Sequence, residues 1–397
     1  MKSMSIPKHI PAERVFAFDL VDDVEAGGLH DAHVALHGRA PDVFYTPLNG
    51  GHWMVTRMVD AQKVMTDLDN YSSMDVLPQM PWPLPRLNLP PQDMDAPDHL
   101  RYRLLLLRFL APKEVNKLEP GIRCLMSELI DAVLAKGGTE FVADIAVPLP
   151  VKTFMGMMHM DLTRYAEFVR WANGILASRT TRQRLLPFIR MNAYLRSLIR
   201  IRKRAPSDDP VSMLLAAEVN GEKLTDKRVL EVCNLLFLAG LDTVTNALTF
   251  ITRHLAENPA DQQRLRENPD QIPGAIEEFL RRYAFVTVMR RVKHDTELNG
   301  ALLRAGDKVI VSLPAACNDE RAFGCPMHVD LDRPRPGHIA FNTGPHNCAG
   351  APMARIELRV FLEEWLARVP PFHLVEAQKC EMRGGNIMAM ETLRLAW

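Results

Sequence analysis

Between Pro120 and Pro206 apolar residues recur at three- and four-residue spacing, as in amphipathic helices, with breaks near Lys136-Gly137-Gly138 and at Ala205-Pro206. The same periodicity predicts a helix from Val24 to His37, after a surface arm over residues 1–23. Val43-Phe44-Tyr45 and Gly50-Gly51-His52-Trp53-Met54-Val55-Thr56 are β-rich pieces around a glycine turn and predict a small hairpin. The longest uninterrupted pattern begins at Thr225-Asp226, a ready N-cap, and meets no proline before Pro259. A helix reaching His254 or Glu257 would span roughly 45 Å at 1.5 Å per residue, enough to cross the whole molecule. Leu235 to Ala239 is apolar on every side, which marks a central buried helix. Asp242 and Thr243 fall inside this greasy run, and buried polar groups cost free energy unless they are paired. A structural account exists: Thr243 can bond back to a carbonyl one turn earlier, and Asp242 can pair with a distant base.

Prolines dominate Met74 to Pro97, with Trp82, Leu84, Leu87 and Leu89 between them, so no regular helix fits. A long apolar loop either packs on the core or lines a substrate cavity. His99-Leu100-Arg101-Tyr102-Arg103 then opens a helix that puts His99 and Arg103 on one face, where two cationic groups could grip a carboxylate or merely face solvent. The methionines of Phe154 to Met160 read as core packing rather than soft-metal ligands, and His159 as structural.

Composition narrows the class. The 397 residues hold no Gly/Ser-rich linker, so one large unit over 1–397 is expected, with 47% hydrophobic residues to fill its core. Forty-eight basic and 48 acidic side chains cancel, so no global field draws nucleic acid or anionic lipid. The N-terminus lacks the apolar stretch of a signal peptide and no run of about 18 apolar residues occurs, so a cytoplasmic chain without a membrane segment is expected. Six scattered cysteines without C-x-x-C spacing argue against disulfides and zinc knuckles.

One of those cysteines changes the picture. Cys348 sits in Phe341-Asn342-Thr343-Gly344-Pro345-His346-Asn347-Cys348-Ala349-Gly350, between a glycine-bearing loop and a helix start, where backbone N–H groups favour a thiolate that can bind a metal. A single cysteine is otherwise a small buried hydrophobe. The pattern F-x-x-G-x-x-x-C-x-G running into a helix resembles the haem-binding loop of the cytochrome P-450 family, whose cysteine is the axial ligand to haem iron. Resemblance then extends along the chain. Ala239-Gly240-Leu241-Asp242-Thr243 matches the family segment where glycine approaches the haem and an acid–alcohol pair delivers protons to iron-bound dioxygen, with a disrupted helical hydrogen bond leaving a notch. His99, Arg103, Arg290 and His346 match positions that bind the haem propionates. Glu278, Arg281 and Arg333 match a structural triad that holds the cysteine loop.

Within the family the chain looks nearest to the bacterial camphor 5-monooxygenase type, through Gly50-Gly51-His52-Trp53, Met94-Asp95, Gly240 to Val244, Asp319-Glu320-Arg321 and Cys325 to Asp330. It departs from that type in having no tyrosine between Tyr71 and Tyr102, Val288 in place of an aspartate, and Asn342-Thr343 in place of a glycine-containing pair. The resemblance implies a mainly α, triangular, helix-rich single domain with a smaller β part, near 40–60 and 285–312 plus C-terminal strands, and a long central helix over the haem. Haem b bound by Cys348, Phe341, Gly350 and Gly240 together with the propionate ligands is implied as cofactor, and O2 as co-substrate. The implied activity is hydroxylation of an unactivated C–H bond in a small apolar molecule. A pocket of Trp82, Leu84, Leu87, Leu235, Leu238, Ala239, Phe285, Val286 and Ile387 would suit a terpenoid or ionone-like ring. Electrons would come from a [2Fe-2S] ferredoxin with its NAD(P)H-dependent reductase, and a monomer is expected. The rival readings are a peroxide-driven peroxygenase and a non-catalytic haem sensor.

Overall fold

The structure is a computed structural model that describes residues 4–74, 88–176, 178, 180–334, 337–375 and 380–397. The proposed pocket residues Trp82, Leu84 and Leu87 lie outside the described residues. The expected central helix is present as Asp226–Glu257. Thr225 caps it, its hydroxyl accepting the Arg228 N–H at 3.3 Å, and the helix ends at Asn258, before the Pro259 ring. By length and composition this helix could cross a membrane, but 72% of its apolar window is buried inside the protein. Helices Pro148–Met157, Thr181–Arg204 and Ala351–Arg368 pack around it, which explains why its apolar residues are not confined to one stripe.

A five-stranded sheet forms the second region, in the order Val43–Thr46, His52–Val55, Lys308–Ser312, Thr287–Val292, Tyr71–Ser72. The early hairpin pairs Val43 with Val55 and Thr46 with His52. Its turn places Asn49, Gly50 and Gly51 at positive φ. A Cβ on Gly51 would lie 2.3 Å from the Tyr45 hydroxyl, so this turn needs glycine for space as well as for conformation. Trp53, Val309 and Val311 fill a smaller core under this sheet, separate from the large helical core. The β-rich portions expected near 40–60 and 285–312 are therefore present, joined by short C-terminal strands that include Ala389–Met390 and Arg394–Ala396.

Two local expectations change. Val24 to His37 is not one helix but three pieces, Asp22–Ala26, His30–Val34 and Leu36–Arg39. Gly28 and Leu29 take φ of 82° and 56°, which reverses the chain, and a Cβ on Gly27 would meet that of Ala32 at 2.7 Å. The break at Lys136-Gly137-Gly138 also starts a strand, Gly138–Glu140, which pairs with Arg394–Ala396 and ties the C-terminus to the helical region.

Candidate active site

The Cys348 loop is held by its own backbone. Cys348 N–H donates to the Phe341 carbonyl at 2.8 Å, and Asn342 N–H to Ile339 at 2.7 Å. Asn342 and Gly344 both take positive φ, 66° and 68°. Asparagine is the residue other than glycine that best tolerates this region, and its side chain accepts the Thr343 N–H at 2.7 Å. The replacement of a glycine-containing pair thus leaves the loop's shape intact. Gly344 lets the loop close on helix Met58–Thr66, where a Cβ would come within 3.1 Å of Thr66.

Confinement in the loop pushes the Cys348 thiol up, while the Gly350 and Ala351 N–H groups, Arg103 and Arg355 pull it toward the thiolate. A cation bound to the sulfur would add to that pull.

Around this loop three elements bring basic side chains together: His99 and Arg103 from helix Asp98–Leu110, Arg290 from strand Thr287–Val292, and His346 from the turn Gly344–His346. The rings of His99 and His346 lie 3.9 Å apart between centroids. Burial, then Arg290, His99 and Arg103, hold His346 down at about 3. Burial and the arginines hold His99 at about 4, opposed by Asp95. Arg290 is 4% exposed, brought to about 10 by burial, and its Nη2 finds no acceptor among the described residues. Sequence reasoning missed the residues that brace this cluster. Ser73 Oγ lies 3.1 Å from His346 Nε2, while Asp95 accepts from Ser72 Oγ at 2.6 Å and from the Ser73 N–H at 2.7 Å. Met94-Asp95 was noted only as a shared stretch, because nothing in the spacing ties it to His346.

On the central helix, Thr243 Oγ1 donates to the Ala239 carbonyl at 3.0 Å. The helix is assigned continuously through this turn, and the hydroxyl bonds back one turn as the structural account of Thr243 expects. Asp242 has found its distant base in Arg383, whose Nη2 is 3.3 Å from its carboxylate and whose Nε is 2.7 Å from Glu391. A Cβ on Gly240 would stand 3.3 Å from the Phe154 ring, so within the protein the glycine also lets helix Pro148–Met157 close on the central helix. Of the described pocket residues, Leu235 and Phe285 are buried, Leu238, Val286 and Ile387 partly so, and Ala239 is exposed. Val286 pairs with Ile387, and Met388 N–H donates to the Phe285 carbonyl at 2.9 Å. Those two bonds pin both apolar segments together.

The Glu278 triad closes as expected. Arg281 donates to both Glu278 oxygens at 2.8 Å, and Arg333 Nε reaches the same carboxylate at 3.1 Å. Arg281 also donates to the carbonyls of Cys317 and Pro326, fastening the segment that leads to the cysteine loop. A neighbouring set escaped sequence reasoning. Arg355 grips Glu277 at 2.7 and 2.8 Å, His338 lies 3.1 Å from the same carboxylate, and the Arg355 guanidinium stacks 4.7 Å from the Phe341 ring.

The chain was compared with known proteins. A family model described as Cytochrome P450 matches residues 180–369. A "Probable cytochrome P450 127A1" from Sinorhizobium fredii is 31% identical over 412 aligned positions, covering 100% of this chain and 98% of that protein. The chain belongs to the cytochrome P450 family. This P450 is also 35% identical over 291 positions to a "Steroid C26-monooxygenase" of Mycobacterium tuberculosis, across 71% of the chain and 78% of that protein. The crystal structures of CYP101C1 and CYP101J2 superpose with TM-scores of 0.91 and 0.89, each at 31% identity and each over 99% of this chain, with 100% and 99% of their own chains covered. The protein is thus a monooxygenase, of a family that carries haem b, uses O2 and draws electrons from redox partners. Its residues fit that cofactor: a buried guanidinium with a spare donor, beside Arg103 and two histidines held neutral, suits a group bearing carboxylates.

Proposed function

We propose that this P450 hydroxylates an unactivated C–H bond of a small apolar molecule, a terpenoid or ionone-like ring, with electrons from a [2Fe-2S] ferredoxin and its NAD(P)H-dependent reductase in the cytoplasm. The observation that carries the reading is the crowding of His99, Arg103, Arg290 and His346 beside Cys348, where Asp95 opposes the field at His99 and Arg290 and Cys348 that at Arg103. Cys348 is the metal ligand, and Phe341 and Gly350 shape its loop. Arg103 and Arg290 would pair with the carboxylates of haem by charge, and His99 and His346, held neutral, would donate ring N–H groups to them. Haem bound there supplies the activation of dioxygen. Asp242 and Thr243 would move protons, Thr243 from a hydroxyl bonded to the Ala239 carbonyl and Asp242 from a carboxylate steadied by Arg383. Leu235, Leu238, Phe285, Val286 and Ile387 select by apolar area, at roughly 25 cal/mol per Å² buried, and the paired segments around Val286 and Ile387 make that wall firm.

The test is the haem-loaded protein with a ferredoxin system. Wild type should show a red-shifted Soret band in its reduced carbon monoxide complex, and Cys348→Ala should lose it. Thr243→Ala should keep the band but divert electrons to peroxide. Unchanged coupling in that variant removes the proton role of Thr243, and NADH consumption without an oxidised organic product from any terpenoid tried removes the proposed substrate class.

A further inference from the structure

Zero net charge hides a local excess. Helix Thr181–Arg204 carries Arg182, Arg184, Arg190, Arg196, Arg200, Arg202, Lys203 and Arg204 and no Asp or Glu. Three of these are used inside the fold. Arg184 is buried and donates to the Ser178 carbonyl, Arg202 pairs with Asp209, and Lys203 lies 3.0 Å from Asp226. The other five point outward, and none of them forms an ion pair among the described residues. Arg196, Arg200 and Arg204 stand one above another at four-residue spacing, where like charges weaken a helix. A fold that needed only solubility would gain from acids interspersed here.

Aliphatic side chains lie among these arginines. Leu186, Ile189 and Ile201 are 52%, 50% and 51% exposed on the same outward face. Beside them a groove of about 730 Å³ opens between this helix and helix Tyr165–Leu176. Trp171 and Tyr194 line it, and its cations are Arg164, Arg170 and Arg190. Two acids share the groove: Glu167, which Arg164 occupies at 2.9 Å, and Asp161, which accepts the Thr163 N–H and hydroxyl. Among the described residues Arg170 bonds only the Ala166 carbonyl, and the nearby Glu167, whose charge Arg170 and Arg190 feel, is already gripped by Arg164, so both keep donors for a phosphate.

We propose that the outer face of helix Thr181–Arg204 docks on an anionic phospholipid surface. Arg190, Arg196, Arg200 and Arg204 meet lipid phosphates, Leu186, Ile189 and Ile201 enter the boundary between headgroups and acyl chains, and the groove seats one lipid headgroup. Charge complementarity requires a polyanion, and the half-exposed aliphatic residues between the arginines select a lipid interface, since a phosphodiester backbone offers them nothing to enter. The contact is peripheral and independent of the proposed chemistry at Cys348.

Sedimentation of the haem-loaded full chain with vesicles tests it. Vesicles of 30% phosphatidylglycerol in phosphatidylcholine should carry the protein down at low salt, and pure phosphatidylcholine should not. Neutralising three arginines in R196Q/R200Q/R204Q should weaken partitioning by on the order of 100-fold, with the carbon monoxide spectrum unchanged. Leu186→Ser with Ile189→Ser should weaken it as well, because the apolar part of the contact is lost. Equal binding to both vesicle types, no binding to either, or wild-type binding by the triple variant overturns the proposal. So does displacement by duplex DNA or poly-L-glutamate combined with indifference to the two serine substitutions, which would mark a general polyanion contact.

Discussion

Arg281 and Arg290 are both sealed from water, at 0% and 4% exposure, and they differ in what satisfies them. Arg281 gives both arms to Glu278 and spends its remaining donors on the carbonyls of Cys317, Pro326 and His328. Among the described residues the Arg290 guanidinium makes one hydrogen bond, 2.8 Å to the carbonyl of its neighbour Met289, and keeps a buried nitrogen without an acceptor. A buried guanidinium costs a great deal unless it is paired, so the first arrangement belongs to the fold itself and the second is suited to a ligand. Burial alone does not distinguish a structural arginine from a binding one. The tally of acceptors does.

The contrast breaks most clearly at Arg281. Arg281→Met leaves the Glu278 carboxylate with Arg333 and the Asp330 N–H, and breaking a buried pair in this way costs about 3–5 kcal/mol. Urea unfolding should show that loss with haem and without it. The double variant Glu278→Gln with Arg281→Met should lose less, since no lone charge remains. An Arg281→Met protein as stable as wild type would end the structural assignment.

Arg290→Gln should do the reverse. Removing an unsatisfied buried cation leaves the haem-free chain as stable as before, or more so. Haem retention, read as the rate of transfer to a scavenger protein, should fall by about 10–100-fold, the worth of a hydrogen bond to a charged group at about 1.5–3 kcal/mol. Loss of stability in the haem-free protein with normal retention would place Arg290 beside Arg281 as a structural residue.

How much of this contrast the sequence disclosed follows from what sets each contact. Glu278 and Arg281 share one helical turn, and the cysteine loop is contiguous, so both are motifs that spacing reveals. The central helix was legible because Thr225 and Pro259 punctuate it. Ser73, Asp95, Glu277 and His338 were not, because their partners come from elements that only the tertiary fold brings together. The single helix expected at Val24–His37 failed because periodicity does not register Leu29 at φ 56°. The direction of Gly240 toward Phe154 is likewise set by packing rather than by pattern.

Arg355, with its side chain 42% exposed, sharpens the comparison from the surface side. Burial tends to raise the Glu277 carboxyl, but Arg355 and His338 prevail and hold it at about 2, below its usual 4.5. A carboxylate depressed in the folded state adds stability above its unfolded pKa and loses it as pH falls through the folded one. The contribution is on the order of 2 kcal/mol after solvent screening, present above pH 4.5 and fading toward pH 2. Glu277→Gln should therefore flatten the acid limb of a stability–pH profile, and an unchanged limb over that window would remove this pair from the account.

The smallest effect is expected at Arg282, which tests whether a spare donor alone marks a binding residue. Its Nη1 also lacks an acceptor among the described residues, yet its Nε donates to the Met327 carbonyl at 2.7 Å and its guanidinium stacks 4.8 Å from the Tyr283 ring. The side chain is only partly buried, and the groups named around Arg290, His99 and His346 are not among its partners. Arg282→Gln should cost no more than about 1 kcal/mol, the net value of one hydrogen bond, and leave haem retention unchanged. If retention fell as far as in Arg290→Gln, the crowding of basic side chains would lose its meaning, and any unsatisfied arginine would serve equally well as a sign of the haem site.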